Sequence, residues 1–277
     1  MKLNLRCLAF IASLLAISTS SFTQWPLYME DVPLLADGSP NFDAPALTTF
    51  DGHPDLSGTW DFIVPHQSGV QGRPVGEPRT PPPGVAPYAT FWDQGFGFKN
   101  GLPYQPWARE IREERIANHG IENPDSYCLP LGHMQFHTHP QPFEIIQSTD
   151  RLVILYEASS GVREIFLDGR ALPPLGEPIP AWYGYSVGHW EEDTLVVTTN
   201  NFRGDGWLDF NGSPSTEQLV ITERFRRISY GRVELDITID DPGAYTEKFN
   251  LRADFTIMPG DSLIEWVCEN ENSSQYF

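Results

Sequence analysis

From position 143 onwards the chain is written in short segments of alternating apolar and polar residues, divided by Gly, Pro, Asp and Ser. Punctuation this frequent leaves no room for crossover helices, so successive strands are expected to pair as neighbours in an antiparallel meander. Strands are predicted at 143–147, 151–157 and 162–167, and a hairpin at 185–190 and 194–199 turning through 191–193. A second hairpin joins 218–227 to 232–239, and a last one joins 247–257 to 262–268 around 259–261. In 232–239, Val233, Leu235, Ile237 and Ile239 share one face, while Arg232, Glu234, Asp236 and Thr238 share the other. One face therefore meets a core. An open sheet of about nine or ten such strands would leave two unpaired edges, and closure removes them. The expected fold is mostly β, an antiparallel meander closing into a lipocalin-like barrel, with a β-sandwich as the alternative.

Upstream, residues 24–105 are rich in Pro, Gly and Asp, with one strand-like island at 56–64. They read as an ordered arm laid over the domain, disorder being the alternative for 67–83. One helix is predicted at 106–118, with Pro106 at its start, Trp107, Ile111 and Ile116 roughly on one side, and Gly120 beyond its end. The division is thus 1–23, 24–105 and a barrel domain at 106–277 that includes this helix. No internal repeat suggests a propeller or solenoid.

Residues 1–23 read as a secretory signal: Lys2 and Arg6 precede an apolar run at 7–17 and a small-residue stretch at 18–21. That run is shorter than the roughly 20 residues needed to span a bilayer, and no later stretch comes close. A periplasmic or extracellular location is expected. Cys7 would leave with the signal, leaving Cys128 and Cys268 where disulfides persist. A bridge between them is expected, two buried free thiols being the alternative. Neither belongs to a Cys-x-x-Cys pair, which argues against thiol redox catalysis or a thiolate zinc site.

The formal charge is −19, or −21 once Lys2 and Arg6 are removed. A surface this acidic repels phosphate backbones and anionic lipid, so no nucleic-acid or membrane-surface partner is expected, the competing account being that the acidity merely keeps an exported protein soluble. The expected partner is a small-molecule substrate or ligand, for which the 8 Trp, 10 Tyr and 17 Phe would line a pocket. Gly-x-Ser-x-Gly elbows, P-loops and dinucleotide fingerprints are missing from the sequence.

Three clusters could carry chemistry. In GHMQFHTHPQP at 132–142, an extended backbone would put His137 and His139 on one face, where two imidazoles could share a divalent transition metal or a substrate. His133 could join from the preceding turn. A third ligand is wanted, with Glu157 and His189 as candidates; polar histidines lining a pocket are the competing account. In WYGYSVGHW at 182–190, Tyr183, Tyr185, Val187 and His189 would share one face of a strand, offering a phenol and an imidazole to a barrel interior, or simply packing there. The polar loop at 200–214 holds Asp205, Trp207 and Asp209, and could lay a carboxylate over a barrel mouth or serve only as a connection. Glu223 falls on the apolar face of Leu219, Ile221 and Phe225, where burial would raise its pKa unless an arginine pairs with it.

The segments DGHPDLSGTW at 51–60, VILYE at 153–157, DGR at 168–170, GHWEEDTLVV at 188–197, WLD at 207–209, ERFRR at 223–227 and DPGAYT at 241–246 occur in one order. In this the chain resembles a family of exported bacterial β-rich proteins over residues 50–272. The resemblance implies a secreted β domain and assigns no reaction.

The functional expectation is an enzyme acting on a small apolar or aromatic molecule in a barrel cavity, by acid–base or metal-assisted hydrolysis, elimination or isomerisation. In it His139 and His189 exchange protons or hold a metal, Tyr185 orients a substrate oxygen, and Glu157 or Asp209 sets a histidine tautomer. A periplasmic binding protein for an apolar ligand is the alternative, and a structural envelope protein the third.

Overall fold

A computed structural model describes residues 32–65, 67–68, 74–75 and 80–268. The signal-like segment 1–23 and much of the stretch read as arm or disorder at 67–83 lie outside the described residues.

Eleven strands are described: β1 Gly58–Phe62, β2 Gln67–Ser68, β3 Pro74–Val75, β4 Phe143–Gln147, β5 Arg151–Tyr156, β6 Val162–Phe166, β7 Tyr185–Glu191, β8 Thr194–Asn200, β9 Val220–Ser229, β10 Arg232–Asp240 and β11 Phe249–Ile257. β2 and β3 form a separate two-stranded ribbon. The other nine close into a barrel in the order β1, β11, β10, β9, β8, β7, β6, β5, β4 and back to β1. The expected mostly β barrel is therefore the fold. Helix α1, Pro106–Ala117, matches the predicted position, although the residue it buries is Ala108 and Trp107 stays half exposed, its indole N–H donating to Gly243 O.

The barrel closes through β1, the strand-like island of the arm. It pairs with β11 on one side, Trp60 opposite Ile257, and with β4 on the other, Trp60 opposite Phe143. Both edges of a meander running from β4 to β11 are thereby satisfied. Neighbouring pairs are antiparallel except β6 and β7, which run parallel at Ile165–Ser186 and Phe166–Val187. The long Pro-rich connection at 167–184 carries the chain back to the starting end, as a parallel neighbour requires.

The strict alternation of β9 and β10 is realised in their burial: Ile221, Glu223, Phe225 and Arg227 face inward, as do Val233, Leu235, Ile237 and Ile239. Trp60, Phe143, Phe225 and Phe255 fill the interior and are at most 2% exposed. Each such side chain contributes on the order of 1.5–3 kcal/mol through burial.

The strand predicted at 262–268 does not form. Its partner edge is already taken: β1 lies along β11, and Met258 N donates to Thr59 O just past the end of β11. The chain at 261–268 instead runs without regular structure to Cys268, which is disulfide-bonded to Cys128 with a Cα–Cα distance of 5.7 Å. No helix among the described residues is long and apolar enough to cross a membrane.

Candidate functional site

The histidine-rich segment is a helix, not the extended strand predicted. Helix α2 spans His133–Thr138, and the correction has a local cause. Gly132 at its N-terminal end has its N–H bonded to Gln135 Oε1, and Thr138 Oγ1 donates back to Met134 O. His139 is pushed to extended φ/ψ by the following Pro140, which ends the helix. Only glycine fits at 132, because a Cβ there would lie 1.7 Å from Trp207 O. All six helical residues are buried. The helix lies against inward-facing residues of the barrel: Phe136 packs on Tyr156 of β5, and His137 lies within aromatic reach of Tyr156, Phe225 and Phe255.

Helical periodicity changes which histidines meet. Residues at i and i+4 share a helix face, so His133 and His137 turn to the same point, with ring centroids 5.2 Å apart. That point is Glu223 on β9. His137 Nε2 is 2.6 Å from Glu223 Oε1, and His133 Nε2 is 3.4 Å from the same oxygen. Arg163, inward-facing on β6, donates Nη1–H to Oε1 at 3.0 Å and Nη2–H to Oε2. It also donates to Thr199 Oγ1 on β8 at 3.0 Å and Ser186 Oγ on β7 at 3.3 Å, and its charge acts on the buried Tyr156 phenol. Four consecutive staves, β6 to β9, thus contribute one polar residue each to a continuous interior patch roofed by α2.

The electrostatics follow from burial and pairing. Burial alone would raise the Glu223 carboxyl, but the Arg163 guanidinium, aided by the two histidines, overrides it and holds the group well below the usual carboxylate range. Of the two readings of Glu223, a raised carboxyl among apolar neighbours or a partner for an arginine, the second holds, and the arginine decides the sign. Burial, and then the Arg163 charge, push His133 down to about 4. An ionised carboxylate only accepts hydrogen bonds, so the 2.6 Å contact places a proton on His137 Nε2. In the neutral ring Nδ1 is then a bare lone pair, and this atom is buried with no hydrogen-bond partner. A carboxylate that fixes one imidazole nitrogen and leaves the other without a partner is an arrangement that can orient a histidine for acid–base chemistry.

His133, His137 and Glu223 also form the one group of potential metal donors among the described residues, their ligand atoms lying within 4.8 Å of one another. Two features weigh against an ion there. Arg163 already occupies both carboxylate oxygens with a positive charge, and His137 Nδ1 lacks the acceptor that normally fixes a metal-bound imidazole.

The other sequence candidates are dispersed. His139 points away from Glu223, its ring edge-on to Phe91 and Trp266 and its Nδ1 accepting from Gln141 N at 3.4 Å; it does not join His137 on one face. On β7 it is Ser186 that is buried and faces the interior, so Tyr185 and His189 face outward, contrary to the predicted orientation. The Tyr185 hydroxyl accepts from Arg170, and the exposed His189 contacts Glu191 at 3.3 Å. Glu157 Oε2 accepts from Ile264 N. Asp209 is fully buried and orients no histidine: it accepts from Gln94 N, Ser213 N and Ser213 Oγ, clasping two loops. Burial, with Asp93 nearby, pushes it up to about 6. Arg163, Tyr156, Ser186 and Thr199 escaped the sequence reading. Arg163 was signalled all the same, because it shares the face of Ile165 in a segment whose alternation otherwise keeps charge outside.

Fold and site together define a class, a closed barrel whose interior carries a helix-borne histidine pair facing a carboxylate held by an arginine. Family models, curated proteins and solved structures offer no match to this chain.

Proposed function

We propose that the chain is an exported enzyme that acts on a small apolar or aromatic molecule by acid–base chemistry, with His137 Nδ1 as the base. The observation that carries this reading is the 2.6 Å contact from His137 Nε2 to Glu223 together with the unpartnered Nδ1. Glu223 would hold the tautomer and stabilise the imidazolium formed when Nδ1 takes a proton, while Arg163 keeps the carboxylate ionised. Such a base serves hydrolysis, elimination or isomerisation alike. Export is supported by the signal-like segment 1–23, the family resemblance and the Cys128–Cys268 bridge.

The test is a panel of neutral aryl esters, epoxides and enolisable ketones, with products followed by mass spectrometry. Turnover should fall on the order of a hundredfold or more in both His137→Gln and Glu223→Gln. Unchanged turnover in a folded His137→Gln variant would overturn the assignment. Tight binding with every compound recovered unchanged would favour the binding-protein reading instead. The triad of donor atoms favours a second reading, metal-assisted chemistry, and elemental analysis of the purified protein decides it: one equivalent of a transition metal, lost in His133→Ala, is what that reading requires.

A further inference from the structure

The interior site is shut. His137, Glu223 and Arg163 are at most 1% exposed, and His133 and Tyr156 at most 5%. A centre this closed has to part its wall before a substrate can enter. Tyr156 belongs to both sides of that wall. Its ring lies 4.6 Å from the Phe136 ring and 6.1 Å from the His137 ring, and it also lines a surface cleft of about 210 Å³ between the β5–β6 connection and the C-terminal run. Two larger clefts, of about 1100 and 720 Å³, are lined by no member of the interior patch.

The connection at 157–161 separates this cleft from the helix that carries His137. Gly161 sits so close that a Cβ there would lie 3.1 Å from the Phe136 ring and 3.2 Å from the Tyr183 hydroxyl. Two consecutive serines in it, Ser159 and Ser160, stand at φ 53° and 48°, a region that L side chains seldom adopt. Strain of this kind persists only where the surroundings impose it, and it gathers at ligand clamps and switch regions. The restraints come from the two segments that the disulfide joins. Ser159 Oγ donates to Asp125 Oδ1 at 3.2 Å, just before Cys128. Ile264 N donates to Glu157 Oε2 at 3.0 Å, and Ser160 Oγ donates to Trp266 O at 3.3 Å, just before Cys268.

We infer that the 157–161 connection is the gate through which a substrate reaches His137, and that the two segments joined by Cys128–Cys268 clamp it shut. As an account of substrate entry, this rests on the acid–base reading above. As an account of access to a buried histidine, it stands apart from it.

Diethyl pyrocarbonate, a small electrophile that acylates unprotonated imidazole nitrogen, is the probe, and peptide mass spectrometry reads each histidine separately. In the oxidised full chain His137 should label slowly. Its rate should rise roughly tenfold in Glu157→Ala/Ser160→Ala, which removes two of the three restraints, and again in Cys128→Ser/Cys268→Ser, which parts the clamp. The exposed His189 should label at one rate throughout, and amide exchange in β9 and β10 should stay as slow as in wild type. Labelling of His137 indifferent to both variants would overturn the inference, as would a rise matched by faster exchange in β9 and β10, which is global loosening. Gated labelling with no turnover of any aryl ester would leave the gate assigned and count against the acid–base reading alone. Turnover lost in His137→Gln, with labelling indifferent to the clamp, would keep that reading and overturn the gate.

Discussion

At the scale of single residues, Arg163 and Glu223 form a buried pair whose members depend on each other. Removing one leaves an uncompensated charge inside the barrel, whereas removing both takes the two charges out together and costs only the polar contacts to His137, Ser186 and Thr199. Arg163→Met is expected to lower stability by about 3–5 kcal/mol, and Arg163→Met/Glu223→Leu by clearly less, measured by urea unfolding. A double-variant loss equal to the sum of the losses in Arg163→Met and Glu223→Leu alone would mean that the pair is not coupled. The two lowered histidines set a pH dependence. His133 and His139 each fall from 6.5 to about 4, both chiefly through burial. Between those values the unfolded chain binds protons that the folded one refuses, so their contribution is complete above 6.5 and is lost as pH falls towards 4. Asp209 works in the opposite sense: raised from 3.8 to about 6, it favours the folded state as pH drops through that range. Comparing unfolding at pH 7.5 and pH 5, His139→Gln should therefore flatten the acid loss and Asp209→Asn should steepen it. Opposite changes would refute the assigned directions.

At the scale of elements, α2 places the site, and Gly132 places α2. With Trp207 O 1.7 Å from where a Cβ would stand, Gly132→Ala must displace either the helix or the 207–213 loop. The expected cost is about 3 kcal/mol, accompanied by a change in the His137 environment; a variant of wild-type stability would show that the contact relaxes freely. This helix also marks where the sequence misleads. Period-two strands such as β9 and β10 were legible because each needs only one buried face, and alternation reports it directly. A six-residue helix buried all round has no polar face to betray its period, so MQFHTH reads equally well as extended. What could have separated the two was the spacing of His133 and His137 between Gly132 and Pro140, a helical turn bracketed by its natural ends. The outward turn of Tyr185 and His189 was illegible for a different reason: in WYGYSVGHW both faces carry aromatics, Trp182 and Trp190 on one and Tyr183 and Tyr185 on the other, so the pattern does not say which is inside. The last predicted strand failed on topology, its edge having been claimed by β1 from more than 180 residues earlier.

At the scale of the whole molecule, the barrel is closed twice, once by β1 between β4 and β11 and once covalently by Cys128–Cys268 across 140 residues. On the chain-entropy model a loop of that length contributes about 4–5 kcal/mol. Reduction should lower the unfolding midpoint accordingly, and a midpoint indifferent to reductant would place the bridge outside the cooperative unit. The nine staves also explain how a charged site survives indoors. Consecutive strands β6 to β9 supply Arg163, Ser186, Thr199 and Glu223 at adjoining register positions, so the guanidinium finds its acceptors within the wall itself. The proposed acid–base role requires His137 in one tautomer, and ¹⁵N NMR of histidine-labelled protein at pH 7.5 reads the tautomer directly. A protonated Nε2 coupled to Glu223 and an unprotonated Nδ1 is the result expected. A proton on Nδ1, or a metal-shifted Nε2, would contradict the acid–base site.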